Sequence, residues 1–316
     1  MIVEDVRRVL IVGAGTMGPG IAQVYALRGI HVDLVDTQPS ALDSARERIT
    51  SGLRSLAGMG AITTEAAATA GGLIELSGDL ENAARQADVI TEAITEQPAA
   101  KQALFGELDR LARRDTVFAS NTSGLDIFSL LADIVPNRLD RLVIHHYFLP
   151  PTIVPLVEVV GGPQTRPEIL DFSVALLKHL GSEPVVVKKF CPNFIVNSFQ
   201  VALSATAARL LAEGIASPAD IDRAVKHSLG IRLPIVGVVQ TLDFTGLELI
   251  ARILRHSGLD ASYFEKLVAE GRQGVRSGRG LYDYSGRSQT EIESDRDRKY
   301  GLNRRNLEDI GAFDPV

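Results

Sequence analysis

Several features that would narrow the function of this 316-residue chain are scarce or missing. It has a single cysteine, Cys191, so no internal disulfide can form, and this fits a reducing compartment. No run of about eighteen apolar residues occurs, so no segment is expected to span a bilayer. The net charge is acidic, at −6, and no long basic stripe is present. We therefore expect no nucleic-acid or membrane partner.

The first residues also differ from a secretory signal, because Glu4 and Asp5 precede the first apolar run. We therefore expect a cytoplasmic protein. The sequence contains no internal repeat and no low-complexity segment. Hydrophobic residues make up 45% of the chain and charged residues 23%, which is enough for a sizeable core. The length predicts two domains.

The most informative segment, residues 9–22, is an apolar strand followed by a G-x-G-x-x-G pattern and the start of a helix. Gly13 permits a tight turn, Gly15 lets backbone N–H groups approach a pyrophosphate, and Gly18 lets helix and strand pack closely. The free N–H groups at the start of the helix then face the anion. This pattern, in its strand–turn–helix context, predicts a dinucleotide-binding site.

A second apolar strand, residues 31–36, ends in an acid eighteen residues after Gly18. At that position the carboxylate of Asp36 can bind the two hydroxyls of the adenosine ribose. The next residues, 37–39, include no arginine or lysine that could hold a 2′-phosphate. The sequence therefore predicts NAD rather than NADP as the cofactor.

Short apolar runs alternate with helical patterns up to about residue 187, which predicts an α/β domain with a Rossmann-type, doubly wound, mostly parallel sheet. The predicted strands are 8–13, 31–36, 73–77, 87–91, 116–120, 141–145, 154–160 and 184–188. The helical patterns between them lie near 16–28, 39–57, 97–113 and 166–180.

After Lys189 the pattern becomes helical, with a long helix expected from Pro192 to about Gly214. Ser217 and Pro218 have the form of a cap and a first helical residue, and further helical patterns cover 237–256 and 262–271. We therefore expect an NAD-binding domain over 1–187 and an all-helical substrate and dimerisation domain over 188–316. The charged segment from about residue 286 is interpreted as a solvated helix or a mobile tail.

A candidate acid–base pair follows two neighbouring strand patterns. Hydride transfer to a nicotinamide requires a group that takes the hydroxyl proton, and a histidine held by a carboxylate suits this role. His146 ends one strand pattern, and Glu158 lies in the next, in an apolar run where an unpaired carboxylate would be costly. Spacing alone leaves a surface histidine and an edge-strand glutamate as an equal alternative. His145 competes with His146, but alternation places the two on opposite faces.

The order of the motifs resembles the 3-hydroxyacyl-CoA dehydrogenase family from residue 6 to about residue 284. The resemblance rests on the glycine loop with Met17, Asp36, residues 91–96, residues 119–123, His146, residues 155–158, residues 194–197 and residues 277–284. It implies an NAD-dependent oxidoreductase that transfers hydride between NAD and a 3-hydroxy substrate. The same family also includes enzymes for small free hydroxy acids.

By this resemblance, His146 is the general base and Glu158 its orienting partner. Ser123 and Asn197 would hydrogen-bond the reacting oxygen and the histidine region, although Asn197 taken alone is equally a capping or packing residue. Glu96 would lie near the nicotinamide and the domain interface, although taken alone it is a loop carboxylate.

The residues expected to hold NAD are Gly13, Gly15, Thr16, Met17, Gly18, Asp36, Glu96, Lys101 and Asn121, and no metal is expected. Helical domains of this kind commonly pair, so we expect a homodimer through the apolar helices near 195–212 and 235–254.

Three departures from the family concern the substrate. Leu149 stands where the family has an asparagine after the histidine, and residues 235–239 replace the family's Met-Gly-Pro-Phe-Glu stretch on the substrate-facing wall. Residues 56–61 carry no cation where acyl-CoA enzymes have a lysine-rich turn. Each missing charge-assisted contact to CoA would be worth about 1.5–3 kcal/mol. These departures favour a substrate that is not a CoA thioester.

Two other functions are open. A decarboxylating 3-hydroxyacid dehydrogenase would use a lysine near residues 191–197, where this chain has Asn197 and no lysine. An NAD-binding structural or sensor protein that has lost catalysis is the second, and Leu149 supports it. The retained set of His146, Glu158, Ser123 and Asn197 favours an active enzyme.

Overall fold

The computed structural model describes residues 2–314. The chain divides into two compact units, one up to Ala202 and one from Leu203. The division falls within the helix Val196–Ala212.

An eight-stranded sheet forms the centre of the first unit. Its strands are β1 (Arg8–Val12), β2 (His31–Val35), β3 (Ile74–Ser77), β4 (Val89–Glu92), β5 (Val117–Ser120), β6 (Leu142–Tyr147), β7 (Leu156–Gly161) and β8 (Glu183–Val187). They lie in the order β3-β2-β1-β4-β5-β6-β7-β8. The strands from β1 to β6 are parallel, β7 is antiparallel to β6, and β8 is parallel to β7. The expected mostly parallel Rossmann-type sheet is confirmed.

Helices cover both faces of this sheet. They are α1 (Gly18–Ala26), α2 (Pro39–Gly58), α3 (Thr64–Gly72), α4 (Leu80–Gln86), α5 (Pro98–Leu111), α6 (Ile127–Leu130) and α7 (Pro167–His179). Helices α1, α2, α3 and α7 pack on one apolar cluster, and α4, α5 and α6 pack on the other. Because both faces are covered, the central strands are near-continuous runs of buried apolar residues.

The eight predicted strands are all present within a few residues of their predicted bounds. The helices α3, α4 and α6 were not predicted. Most of α3 is alanine, glycine and threonine, so it lacks the large apolar residues that would mark a helical period. Helix α6 has four residues, too few to show such a period.

The second unit is helical. After α8 (Val196–Ala212), which begins in the first unit, come α9 (Pro218–His227), α10 (Leu229–Thr245), α11 (Leu247–His256), α12 (Ser262–Ala269) and α13 (Gln289–Asp309). The predicted cap at Ser217 is confirmed, since its side chain accepts the N–H of Asp220 and Pro218 starts α9. The charged C-terminal segment forms the helix α13, the first of its two predicted forms.

No single helix among the described residues is both long and apolar enough to cross a bilayer. The consecutive helices α10 and α11 reach that length and hydropathy only when they are taken together, and they are bent by 87° relative to each other.

Candidate active site

The predicted site residues gather at the carboxyl edge of the parallel strands, where open α/β sheets bind their ligands. A cavity of about 530 Å³ lies at this edge beside β1 and β2. Its lining includes Gly13, Gly15, Asp36, Gln38, Ile94 and Leu104. The wall is mostly apolar and carries the carboxylates of Asp36 and Glu107, which suits an adenosine.

The glycine loop has the geometry that a dinucleotide needs. Gly13 has a positive φ of 111°, and a side chain there would lie 2.5 Å from the carbonyl oxygen of Ala93. A side chain at Gly18 would overlap the carbonyl oxygen of Gly13. At Gly15, by contrast, the position of a Cβ has no described atom within 4 Å. The loop is therefore closed around Gly13 and Gly18 and open at Gly15, where a pyrophosphate has to approach.

Two further predicted cofactor residues complete the loop. Thr16 is exposed, and Met17 precedes α1 in the capping position. No side-chain cap among the described residues occupies the first N–H groups of α1. These N–H groups are therefore available to an anion at the helix N-terminus.

The carboxylate of Asp36 ties the loop to β2. Its Oδ2 accepts the N–H of Ala14 at 2.8 Å, and its Oδ1 accepts the N–H of Gln38 at 2.9 Å. The guanidinium of Arg48 on α2 donates to the carbonyl oxygen of Ala14 at 2.9 Å. The residue between the first two glycines is therefore held through both its N–H and its carbonyl. Arg48 was missed at the sequence level, because nothing there distinguishes it from the other arginines of α2.

A buried ion pair lies at the end of β4, next to the loop. Lys101 on α5 donates to Glu92 at 2.6 Å, and both side chains are fully buried. Ser120 at the end of β5 donates to the other carboxylate oxygen of Glu92 at 2.5 Å. Lys101 is therefore enclosed by protein groups. No role was predicted for Glu92 from the sequence. Its position at the end of an apolar strand was the available signal.

Glu96 connects this pair to the loop after β5. It accepts from Lys101 at 3.1 Å, from the Thr122 hydroxyl, and from the backbone N–H of Ser123 at 2.9 Å. Burial raises the pKa of Glu96, but these donors outweigh burial and leave the pKa below its ordinary value. The hydroxyl of Ser123 is exposed and bonds no other described residue. Glu96 therefore orients the segment that presents this hydroxyl.

His146 and Glu158 form the predicted pair. They lie directly opposite each other in the antiparallel register of β6 and β7. Nδ1 of His146 lies 2.8 Å from Oε2 of Glu158, and both side chains are buried. The ring of His146 packs against Phe148 and Phe194, with centroids 4.6 and 5.4 Å away. Within residues 2–314, no group forms a hydrogen bond with its Nε2.

The second carboxylate oxygen of Glu158 lies at the start of α8. It accepts the backbone N–H groups of Ile195 at 2.9 Å and Val196 at 3.0 Å. Burial raises the pKa of Glu158, but the hydrogen bond with His146 and these two N–H groups outweigh burial, so the pKa lies below its ordinary value. The Glu158 carboxylate is therefore ionised near neutral pH.

The start of α8 differs from the prediction. The sequence predicted a helix from Pro192, but α8 begins at Val196. Asn193 and Phe194 have positive φ values of 65° and 46°, which an α-helix excludes. This turn directs the first N–H groups of the helix toward Glu158. Asn197 still lies in the first turn of α8, half-buried, and its side chain has no hydrogen-bond partner among the described residues.

The rival residue His145 points to the opposite face of the sheet. Its side chain is fully buried, and neither ring nitrogen has a hydrogen-bond partner in the described part of the chain. Burial lowers the pKa of His145 to about 4. An enclosed imidazole has no access to a substrate, so the geometry favours His146.

Asn121 supports the end of β6. Its side-chain oxygen accepts the N–H of Tyr147 at 2.8 Å, next to His146. The structure thus brings Asn121 next to the candidate pair. The side-chain amide nitrogen of Asn121 has no hydrogen-bond partner in the residues that the structure describes.

Comparisons with known proteins agree with this geometry. The family model of the 3-hydroxyacyl-CoA dehydrogenase NAD-binding domain matches residues 8–190, and that of the C-terminal domain matches residues 194–284. A 5-formyl-3-hydroxy-2-methylpyridine 4-carboxylate 5-dehydrogenase of Mesorhizobium japonicum is 31% identical over 96% of this chain and 99% of that protein. A probable 3-hydroxybutyryl-CoA dehydrogenase of Bacillus subtilis is 36% identical over 89% of this chain and 98% of that protein.

A solved structure of a 3-hydroxyacyl-CoA dehydrogenase from Archaeoglobus fulgidus is similar in fold. It matches with a TM-score of 0.74 at 28% identity, over 96% of this chain and 99% of that one. The two family models together cover most of the chain. From its glycine loop to its helical second unit, this chain belongs to the NAD-dependent 3-hydroxyacyl-CoA dehydrogenase family of oxidoreductases.

Proposed function

We propose that the protein oxidises a 3-hydroxy substrate, or reduces the corresponding 3-keto compound, with His146 as the general base. The observation that carries this proposal is the contact between Nδ1 of His146 and Glu158 at 2.8 Å. A carboxylate at Nδ1 keeps the proton on that nitrogen, so Nε2 presents its lone pair. Nε2 is then the atom that takes the hydroxyl proton.

NAD, when bound by the glycine loop, would supply the hydride acceptor through its nicotinamide ring. When His146 takes the proton it becomes an imidazolium, and the adjacent Glu158 carboxylate stabilises this charge. The two N–H groups at the start of α8 hold Glu158 in its ionised form. Without them, the buried carboxylate would compete for the same proton.

The remaining residues of the site bind and orient. The hydroxyl of Ser123 and the side-chain amide of Asn197 would hydrogen-bond the reacting oxygen. The glycine loop with Thr16 and Met17 would hold the pyrophosphate, and Asp36 the adenosine ribose. Because Lys101 is enclosed by Glu92 and Glu96, it would act on the cofactor site through Glu96. Asn121 would act on the cofactor site through its contact with the end of β6.

For the substrate, we infer a small free hydroxy acid in preference to a CoA thioester. The turn after α2, residues 58–61, is exposed and offers no cation to CoA phosphates. Leu149 is 58% exposed where the family has an amide. The Mesorhizobium relative is named for a pyridine carboxylate, and the Bacillus relative for a CoA thioester.

A substrate screen that follows NADH absorbance tests this proposal. It should compare free 3-hydroxy acids, sugar acids and carnitine with 3-hydroxyacyl-CoA thioesters of matched chain length. We expect the larger kcat/KM for a free acid. Calorimetry with acetoacetyl-CoA and its 3′-dephospho form supplies the control, and tight binding that depends on the 3′-phosphate would falsify the preference for a free acid.

We also propose a homodimer formed through the helical unit. Several apolar side chains of this unit are exposed, among them Leu211, Val238, Val239, Leu249 and Ile253. Exposed apolar side chains of this kind can be covered by a protein–protein contact. Sedimentation at micromolar concentration should show a dimer, and a monomer alone would contradict the proposal.

Domain roles and location follow from the same interpretation. We assign NAD binding to residues 1–187 and the substrate and dimer contacts to residues 188–316, within the cytoplasm and without a nucleic-acid or membrane partner. The lone Cys191 and the acidic net charge support this assignment.

The two alternative functions predict different products. A decarboxylating enzyme would release carbon dioxide together with NADH. Such an enzyme would need a lysine near residues 191–197, and the lysines that precede this segment, Lys188 and Lys189, are exposed at the end of β8. A sensor protein would bind NADH and turn over none of the screened acids. Measuring carbon dioxide and NADH binding beside the screen separates all three.

A further inference from the structure

The C-terminal helix α13 lies beyond the residues that the family model matches, which end at 284. It packs on α10 at two separate places. Near its middle, the guanidinium of Arg296 lies 4.7 Å from the centroid of the Phe244 ring, at the end of α10. Farther on, the side-chain amide of Asn303 donates to the carbonyl oxygen of Ile231 at 2.9 Å, near the start of α10.

Helix α10 is broken between these two contacts. Gly237 has φ 63° and ψ −179°, which interrupts the helical backbone, and Pro234 has no N–H to donate. The backbone hydrogen-bond ladder therefore does not fix the angle between the two halves of α10. A group outside α10 is needed to hold that angle, and α13 contacts both halves.

The ends of α13 are themselves anchored within the second unit. Ser288 and Glu291 form a capping box at its start, and Ile292 is buried in a small cluster with Val275 and Tyr284. After the helix, the ring of Phe313 stacks on His227 of α9 at 4.2 Å. With both ends fixed, α13 is able to act as a rigid support.

We propose that α13 is a brace that holds the two halves of α10 at a fixed angle and thereby positions residues 235–239. Arg296 and Asn303 are its positioning residues. The effect on substrate rests on the proposed function and on the family resemblance, by which residues 235–239 replace the family's substrate-facing stretch. The alignments with the Mesorhizobium enzyme and the Archaeoglobus structure each cover 96% of this chain, so they include most of α13.

Arg296→Ala combined with Asn303→Ala tests the brace, with Arg305→Ala as the matched control. Arg305 is exposed on the same helix and bonds no described residue outside it. In the double variant we expect amide hydrogen exchange of α10 to increase by about tenfold or more, since opening of a locally held segment governs exchange. The control variant should exchange at the rate of the original protein. Unchanged exchange in residues 231–245 of the double variant would overturn the brace.

Steady-state kinetics on the best acid of the screen test the positioning role. We expect KM to rise on the order of tenfold while kcat is largely kept, because substrate contacts shift but the His146–Glu158 pair lies in the other unit. Faster exchange with an unchanged KM would overturn the positioning role. Failure of every acid in the screen would reject the proposed function. Hydrogen exchange needs no substrate, so it would still test the brace in that case.

Discussion

His146 and Glu158 lie opposite each other on antiparallel strands, with Nδ1 and Oε2 2.8 Å apart. The register of β6 and β7 alone brings two residues twelve positions apart in the chain into contact. A slip of one residue would turn Glu158 to the other face of the sheet and leave a buried, unpaired carboxylate. The same register therefore supports both the fold and the candidate chemistry.

Replacing His146 by Gln should lower kcat by roughly two to four orders of magnitude, because the variant has no group to take the hydroxyl proton. Affinity for NADH should be kept. The matched control is His31→Gln, at an exposed histidine on β2, which should retain full turnover. A His146→Gln variant that works at the original rate would remove this residue from the role of base.

Glu158→Gln should also impair turnover, by about two to four orders of magnitude. A glutamine oxygen still accepts the N–H groups of Ile195 and Val196, so the start of α8 keeps its contact. The side-chain NH₂, however, donates toward Nδ1 and so favours the proton on Nε2, which then cannot act as a base. Single-turnover NADH formation measures the effect, and a loss confined to KM would contradict it.

The same residue makes folding stability depend on pH. The folded pKa of Glu158 is below its ordinary value of 4.5, so the unfolded chain binds the proton more readily. Its contribution is complete above that value and is lost as pH falls through the lower folded pKa. Urea unfolding between about pH 7 and pH 3 should show that the free-energy difference between original protein and Glu158→Gln shrinks with acid. Exposed Glu65→Gln is the control, and a difference that grows with acid would oppose this sign.

Lys101→Met should destabilise the first unit by about 3–5 kcal/mol, because Glu92 would be left buried without its cation. The double variant Lys101→Met with Glu92→Gln should recover part of this loss. As a control, Arg85→Met removes an exposed ion pair with Glu81 and should cost less than about 1 kcal/mol. Chemical denaturation gives all these values, and equal losses for the buried and the exposed pair would contradict the role of burial.

Arg48→Ala should weaken NADH binding by about tenfold, the effect of one charge-assisted hydrogen bond to the glycine loop. The carbonyl of Ala14 would lose its donor while Asp36 still holds the N–H. Fluorescence titration with NADH measures the dissociation constant. Arg46→Ala, on the same helix, should leave binding unchanged, and an equal effect of both variants would point to overall charge.

The local features of the cofactor site could be predicted from the sequence. The glycine spacing, the acid at the end of the second strand and the apolar runs each depend on backbone conformation and strand period, which neighbouring residues set. The strands could be predicted because their apolar period is visible in the sequence. Helix α3 was not predicted because it is rich in alanine and glycine and shows no such period.

Contacts between distant segments could not be predicted. Arg48 differs from Arg46 only by which side of α2 meets the loop, and Glu92 becomes the partner of Lys101 only once α5 packs on β4. The predicted start of α8 was wrong because Asn193 and Phe194 adopt positive φ values. The turn they form directs the N–H groups that follow it toward Glu158, which lies thirty-five or more residues earlier in the chain.

The sequence by itself determined the sheet, the glycine loop and the family, because these follow from short-range periodicity and from motifs that are contiguous in the chain. Only the tertiary structure decided which nitrogen of His146 is free, what encloses Lys101, and that α13 lies across the break in α10. Those relationships are set by strand register and helix packing, which join residues that no local pattern connects.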